Sequence, residues 1–232
     1  LVTIAGPQAR AILAAAGCDI DLAPDAFPHM SFREGAVGDI PVRVFRVSFT
    51  GEVSYELNAP AGRTGELWDR LLTAGAPLGA EPVGIDAWML LRTEKGYIHV
   101  GADTDGSTSP DDIGWGHVLR RDHDFLGRRS LTRSDNLRPD RLQLVGLEAV
   151  GSDQALAIGV HLRATALAAG SEGYVTSAGF SPVLGRGVAL AMVRAGRSRM
   201  GEELQVLSPA GPRQARIVAP GAFDPTGERL NG

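Results

Sequence analysis

Lysine is almost missing from this 232-residue chain: Lys95 stands alone beside 22 arginines, a skew that genomic base composition explains without any function. Cysteine is as scarce. Cys18, the only one, excludes an internal disulfide and any zinc site built on several cysteines. Its Ala-Ala-Gly-Cys setting suits a small, part-buried residue. A lone thiol accords with a reducing compartment, so a cytoplasmic location is expected. No apolar run approaches the roughly 18 residues needed to cross a bilayer. A net charge of −4 gives no electrostatic reason to expect nucleic acid or an anionic membrane. Leu1–Gly6 has neither the basic start nor the long apolar stretch of a signal peptide. The chain opens without Met, directly in an apolar run, and is expected to be a piece of a longer polypeptide.

Generic chemical motifs are also missing. There is no Gly-x-Gly-x-x-Gly after a strand and no Walker loop, so no site for NAD, FAD or ATP phosphates is expected in this stretch. Gly185-Arg186-Gly187 is too short for that role and reads as a turn. No Gly-x-Ser-x-Gly elbow exists. His29, His99, His117, His123 and His161 never fall at metal-ligand spacing, so surface or hydrogen-bonded structural roles are expected and no metal.

What is present is ordinary for a soluble globular chain: 44% hydrophobic and 22% charged, enough length for one large domain or two small ones. Residues 7–16 read as a short helix with Pro7 in its first turn and Gly17 as its stop. Ile40 to Leu57 is strand-like, broken by a turn at Thr50-Gly51-Glu52. Thr64 is placed to cap a helix over residues 65–74. A further helix fits residues 85–95, apolar over most of its surface and so expected to be buried, with Gly96 as its stop. Ser109-Pro110-Asp111-Asp112 is a helix-start signal, and residues 124–131 suggest one more short helix. After Arg138-Pro139-Asp140 come short β-prone runs: Leu142–Leu147, Ile158–Leu162, Tyr174–Ser177, Val188–Val193, Leu204–Leu207 and Arg216–Val218. Their even spacing favours a sandwich or small barrel. The expected class is α+β, an α/β piece over residues 1–138 followed by a mostly β piece over 139–232.

Two segments stand out chemically. In Arg46-Val47-Ser48-Phe49-Thr50-Gly51-Glu52-Val53-Ser54-Tyr55-Glu56-Leu57, the carboxylates Glu52 and Glu56 bracket an aromatic-rich turn. A carboxylate beside aromatic faces suits a flat heterocycle with an amidine-like edge, such as a pterin, whose adjacent N–H donors one carboxylate accepts together; Phe49 or Tyr55 would stack on its ring. A plain hairpin with solvent-facing acids fits the same residues. In the second, residues 84–105 followed by Ser109-Pro110-Asp111-Asp112, Arg92 and Glu94 flank the end of an apolar helix, where Arg92 either complements the helix dipole or holds a buried carboxylate.

Together these segments resemble the glycine-cleavage T-protein (aminomethyltransferase) superfamily. The matching runs, in order, are Gly6-Pro7-Gln8-Ala9-Arg10, Phe49-Thr50-Gly51-Glu52 with Glu56, Leu91-Arg92-Thr93-Glu94-Lys95-Gly96, Gly101-Ala102-Asp103-Thr104-Asp105, Ser109-Pro110, Asp124-Phe125-Leu126-Gly127, Val175-Thr176-Ser177 with Ser181-Pro182, and Phe223-Asp224-Pro225. Glu94 to Gly106 is most similar to the C-terminal region of the sarcosine oxidase α-subunit branch; dimethylglycine dehydrogenase and oxidase carry related modules.

The resemblance implies a partial folate-binding α/β domain followed by a small antiparallel β-barrel. It implies one-carbon chemistry: sarcosine is oxidised at a flavin elsewhere, and the methylene unit is captured on tetrahydrofolate. The intact enzyme is then an oxidoreductase acting on CH–NH, with aminomethyltransferase-like activity. FAD, FMN and NAD are expected only in that intact enzyme, whose other subunits would be partners. Glu56 matches the family's pterin-binding glutamate and Phe49 an aromatic folate contact. The family's folate-contacting arginine falls at Trp88 and a tyrosine at Val100. Its essential aspartate belongs to a portion outside this chain, so no catalytic residue is assigned and the chain alone is expected to be inactive. A noncatalytic folate-binding or structural module of a flavoenzyme complex is the alternative. The Lys-Gly-Cys-Tyr signature of the iron–sulfur-assembly branch is absent after Lys95-Gly96.

Overall fold

The computed structural model describes residues 1–119, 122–208 and 211–231. By their contacts the residues form two compact units, Leu1–Arg92 with Asp224–Gly232, and Thr93–Phe223.

The first unit is built on a four-stranded antiparallel sheet of β1 (Val2–Ala5), β2 (Ser31–Val37), β3 (Ile40–Arg46) and β4 (Ser54–Asn58), in the order β1-β4-β3-β2. Alternation sorts the strands into two faces. Val42, Val44, Tyr55 and Leu57 are buried and form a core with Leu13 of helix α1 (Ala9–Ala15) and Leu67 and Leu71 of helix α2 (Thr64–Gly75). Each such side chain, taken fully out of water, contributes about 1.5–3 kcal/mol. Thr3, Phe45 and Glu56 lie side by side on the opposite face.

Helix α3 (Ile85–Lys95) departs from expectation. Ile85, Asp86 and Ala87 are exposed and Trp88 to Leu91 are half-buried; burial is complete only at Arg92, Thr93 and Glu94. The apolar stretch is thus the less buried end, and the charged motif is inside.

The second unit ends in a closed barrel, β10-β5-β8-β7-β6-β9, formed by β5 (Leu142–Ala149), β6 (His161–Arg163), β7 (Gly173–Ser181), β8 (Arg186–Arg194), β9 (Glu203–Ser208) and β10 (Gly211–Val218). Val145, Leu147, Leu162, Val175, Ala191, Val193, Leu204, Val206 and Ile217 fill it. The expected strand over 158–162 reduces to three residues, His161–Arg163. Ser109-Pro110-Asp111-Asp112 starts no helix: Asp112 Oδ2 accepts the Ser109 N–H and hydroxyl at 2.7 and 2.8 Å, closing a turn instead. Residues 124–131 likewise carry only a 3-10 turn, Arg128–Thr132. Among the described residues no helix is long and apolar enough to cross a membrane.

The turn after α3 explains its glycine. Gly96 has φ +76°, and a Cβ there would lie 2.4 Å from the Gly221 backbone nitrogen. Beside it the Phe223 N–H donates to the Glu94 carbonyl at 3.0 Å. Gly96→Ala is expected to lower unfolding free energy by about 2–4 kcal/mol, from left-handed strain and backbone overlap together. Chemical denaturation followed by tryptophan fluorescence checks this; an unchanged midpoint would contradict the close approach.

Candidate functional site

Glu56 sits in β4, an inner strand, paired in register with Thr3 on one side and Phe45 on the other. Its neighbours Tyr55 and Leu57 are fully buried on the core face, which fixes Glu56 on the opposite one, half-buried. No ion pair or side-chain hydrogen bond engages its carboxylate among the described residues.

Phe49 lies in the loop between β3 and β4, half-buried. Its ring packs on Trp88 with centroids 4.2 Å apart and planes at 37°. Val100, the other substituted position, is exposed.

Trp88 also lines a groove of about 730 Å³ in the first unit, together with Thr3, Thr50, Glu52, Trp68 and Arg229. Neither Phe49 nor Glu56 lines it; each abuts it through a neighbour, Phe49 through Trp88 and Glu56 through Thr3. Arg229 is delivered by helix α4 (Glu228–Asn231) and pairs through Nε with Glu52, which raises its pKa. Asp224 caps α4, accepting the Glu228 N–H at 3.0 Å. Arg46, 2% exposed, donates from Nη2 to the Leu230 carbonyl at 2.9 Å and stands over the Tyr55 ring at 5.2 Å. Arg46 opens the first of the two segments that stand out in the sequence, whereas Arg229 carries no signal there. Arg229 lies 177 positions from Glu52, beyond the reach of any local signal.

In the second unit, two of the sequence motifs meet at one carboxylate. Asp103 is 1% exposed. Its Oδ1 accepts the hydroxyls of Thr176 and Ser177, the latter at 2.7 Å, and its Oδ2 accepts the His99 N–H at 2.8 Å. Successive strand residues normally point to opposite faces. Here β7 shifts register between Val175 and Ser177, and that bulge aims both hydroxyls the same way.

A second buried carboxylate holds the loop before the barrel. Arg141 grips Asp112 through Nε at 2.9 Å and Nη2 at 2.6 Å, both side chains nearly buried. Burial pushes the Asp112 pKa up, but the Arg141 guanidinium and the Ser109 N–H and hydroxyl outweigh it and leave it below the ordinary carboxylate value.

Comparisons with known proteins are consistent with these motifs. Residues 1–123 match the GCVT N-terminal domain, and residues 143–224 the glycine cleavage T-protein C-terminal barrel domain. All of the chain aligns with 25% of a sarcosine oxidase subunit alpha of Corynebacterium sp. (strain U-96), at 37% identity. Its similarity to an aminomethyltransferase of Thermotoga neapolitana is 32% identity over 94% of the chain and 57% of that protein. The crystal structure of the glycine cleavage system aminomethyltransferase T from Bartonella henselae superposes with a TM-score of 0.81 at 27% identity, over 96% of this chain and 59% of that one. The chain thus spans about a quarter of the α subunits it matches and under two thirds of the aminomethyltransferases.

Two outcomes test the buried acids. Asp103→Ala strands two hydroxyls and a backbone N–H, so it is expected to cost about 3 kcal/mol, with Asp103→Asn milder. Equal denaturation midpoints for wild type and Asp103→Ala would contradict the lock. For Asp112, the folded pKa lies below the unfolded one. Its stabilisation is therefore complete above about pH 4 and lost as pH falls through the folded value. Arg141→Met is expected to flatten that acid limb in melting temperatures measured from pH 6 down to 3.

Proposed function

The chain belongs to the glycine cleavage T-protein family, and from that premise we propose that it is the folate-handling module of a sarcosine oxidase-like enzyme, where the methylene unit of oxidised sarcosine is captured on tetrahydrofolate. The observation that carries this reading is Glu56. A half-buried carboxylate, held between two paired strands and engaged by no cation among the described residues, is an acceptor awaiting a donor. The N–H edge of a pterin is complementary to it, and charge-assisted, two-point hydrogen bonding gives both orientation and strength.

Tetrahydrofolate, when bound, supplies the amine nitrogens that take up the one-carbon unit. The chain's own residues position. Glu56 accepts the pterin N–H donors, and its strand neighbours hold it in place before binding, so little ordering is left to be done then. Phe49, backed by Trp88, offers a flat face to one side of a ring. No proton-transfer step is assigned to a residue of this chain. In this reading residues 1–138 are the folate-binding portion and 139–232 the barrel domain, while FAD, FMN and NAD belong to other parts of the intact enzyme. Dimethylglycine oxidation is served by an equivalent module if the amine substrate differs.

A second reading, a structural module of a flavoenzyme complex, is favoured by one feature: Trp88 occupies a position where the resemblance calls for a folate-contacting arginine. Formaldehyde release during sarcosine oxidation separates the two, since only a folate-capturing module lowers it, when tetrahydrofolate is added, by more than the spontaneous condensation of free formaldehyde with tetrahydrofolate does.

Glu56→Gln is expected to weaken 5-formyltetrahydrofolate binding about 10- to 100-fold, the value of a charged hydrogen-bond pair. Isothermal titration of the folded variant checks this, and an unchanged dissociation constant would remove Glu56 from the site.

A further inference from the structure

One corner of the first unit carries more positive charge than it pairs. Elsewhere in this unit arginines find carboxylates, Arg43 with Glu34 and Arg63 with Glu66. Arg10 of α1, Arg33 of β2 and Arg46 of β3 form no ion pair among the described residues and donate to carbonyls instead. Arg10 reaches Asn231 at 3.3 Å, Arg33 reaches Phe32 and Ala26 at 2.8 and 2.6 Å, and Arg46 reaches Leu230 at 2.9 Å. Two rings link the last two: Phe27 and Tyr55 lie 5.7 Å apart, with Arg33 at 5.3 Å from the first centroid and Arg46 at 5.2 Å from the second. The acids nearby in sequence are turned away. Asp19 and Asp21 accept the backbone N–H groups of Ala36 and Ala23, and both are exposed, as are Asp25 and Glu228.

Arg46 is the enclosed member of this group. It is 2% exposed, and its Nε and Nη1 have no hydrogen-bond partner among the described residues. The same holds for the hydroxyl of Tyr55, a side chain with no exposure, and for the buried Nδ1 of His29. His29 is tied to Arg46 through the next residue, since the Met30 N–H donates to the Arg46 carbonyl at 2.8 Å. Burial first, and then the Arg46 charge, lower the His29 pKa, so near neutral pH its ring is uncharged and still carries one N–H. The Tyr55 face offsets only part of the cost of enclosing a guanidinium. A guanidinium, a phenol and an imidazole all have a proton to give, and a ligand that only accepts would satisfy each of them. None of the three residues lines the groove described above, and the corner is closed to solvent at Arg46 and Tyr55, so the acceptor is small. We propose that Arg46, Tyr55 and His29 form a buried site for a monovalent anion the size of chloride. A halide makes no demand of shape and takes N–H and O–H donors from several directions at once. Bound there, it neutralises the arginine that holds helix α4 through Leu230. This site is independent of the folate reading.

Exchange of chloride for gluconate at constant sodium and pH reads the site. Melting temperature is expected to be higher in chloride, and to rise by about 3–5 °C for each tenfold increase above the chloride dissociation constant. General salt effects run the other way, because a strongly hydrated anion such as gluconate is the one excluded from protein surfaces. Arg46→Met abolishes the chloride response. Tyr55→Phe keeps the ring and removes the hydroxyl, and is expected to weaken the apparent chloride affinity several-fold. Arg43→Met, on the exposed side of the same strand, leaves the response at its wild-type size. In crystals grown with bromide, an anomalous peak is expected beside the free nitrogens of Arg46. Tyr55→Phe and the bromide crystals decide the matter whether or not Arg46→Met folds. A melting temperature in chloride equal to or below that in gluconate overturns the proposal. So does a full chloride response in either Arg46→Met or Tyr55→Phe, and so does bromide density that appears only away from Arg46.

Discussion

The second unit turns on one buried carboxylate. Asp103 has almost no contact with water, yet both its oxygens are occupied, by two hydroxyls from the barrel and an N–H from its own loop. An acid in that position is tolerable only because every lone-pair direction that matters is met. The barrel had to deform to meet it: without the register shift in β7, Thr176 and Ser177 would point to opposite sides. The acid and the bulge therefore presuppose each other. The Gly-x-Asp loop and the Val-Thr-Ser run, 73 residues apart, are two halves of one structural device.

A similar economy governs the last nine residues. The chain leaves the barrel at Val218, passes Gly221 against Gly96, and returns to the first unit, where Asp224 starts a four-residue helix. A helix so short has no stability of its own. It is held by its cap, by the Arg46 bond to Leu230, by an Arg10 bond to the Asn231 carbonyl at 3.3 Å, and by Arg229 on Glu52. Arg10 and Arg46 meet carbonyls at the negative end of that helix, where a cation is favoured.

Much of this was legible locally. Alternation in Ile40–Arg46 and Ser54–Asn58 separates the core face from the Glu56 face, and it survives in the pairing. The barrel strands follow their β-branched runs. The misses have physical causes. β2 reads Ser-Phe-Arg-Glu-Gly-Ala-Val, too polar for a strand signal, and its Gly35 is there because a Cβ would strike Asp19 and Ile20 at 2.4 and 2.6 Å. Ser109-Pro110-Asp111-Asp112 is a cap signal with no helix behind it, since Gly114 at φ +81° breaks the run after one turn. The acid then serves Arg141. In α3 an apolar composition does not bring burial: burial follows what packs against a helix, and here it is the charged end that is enclosed.

The candidate site divides along the same line. Glu56 and Phe49 belong to one continuous motif, so residue types alone could nominate them. The groove beside them is assembled from β1, the two tryptophans of α2 and α3, the Thr50–Glu52 turn and an arginine from the far end of the chain. Such a set has no local signature. It does leave a physical one, in the form of a charge whose partner sits on the wall of a cavity and a buried hydroxyl with no partner among the described residues. Groups like these are costly in a finished core and sensible in a binding site.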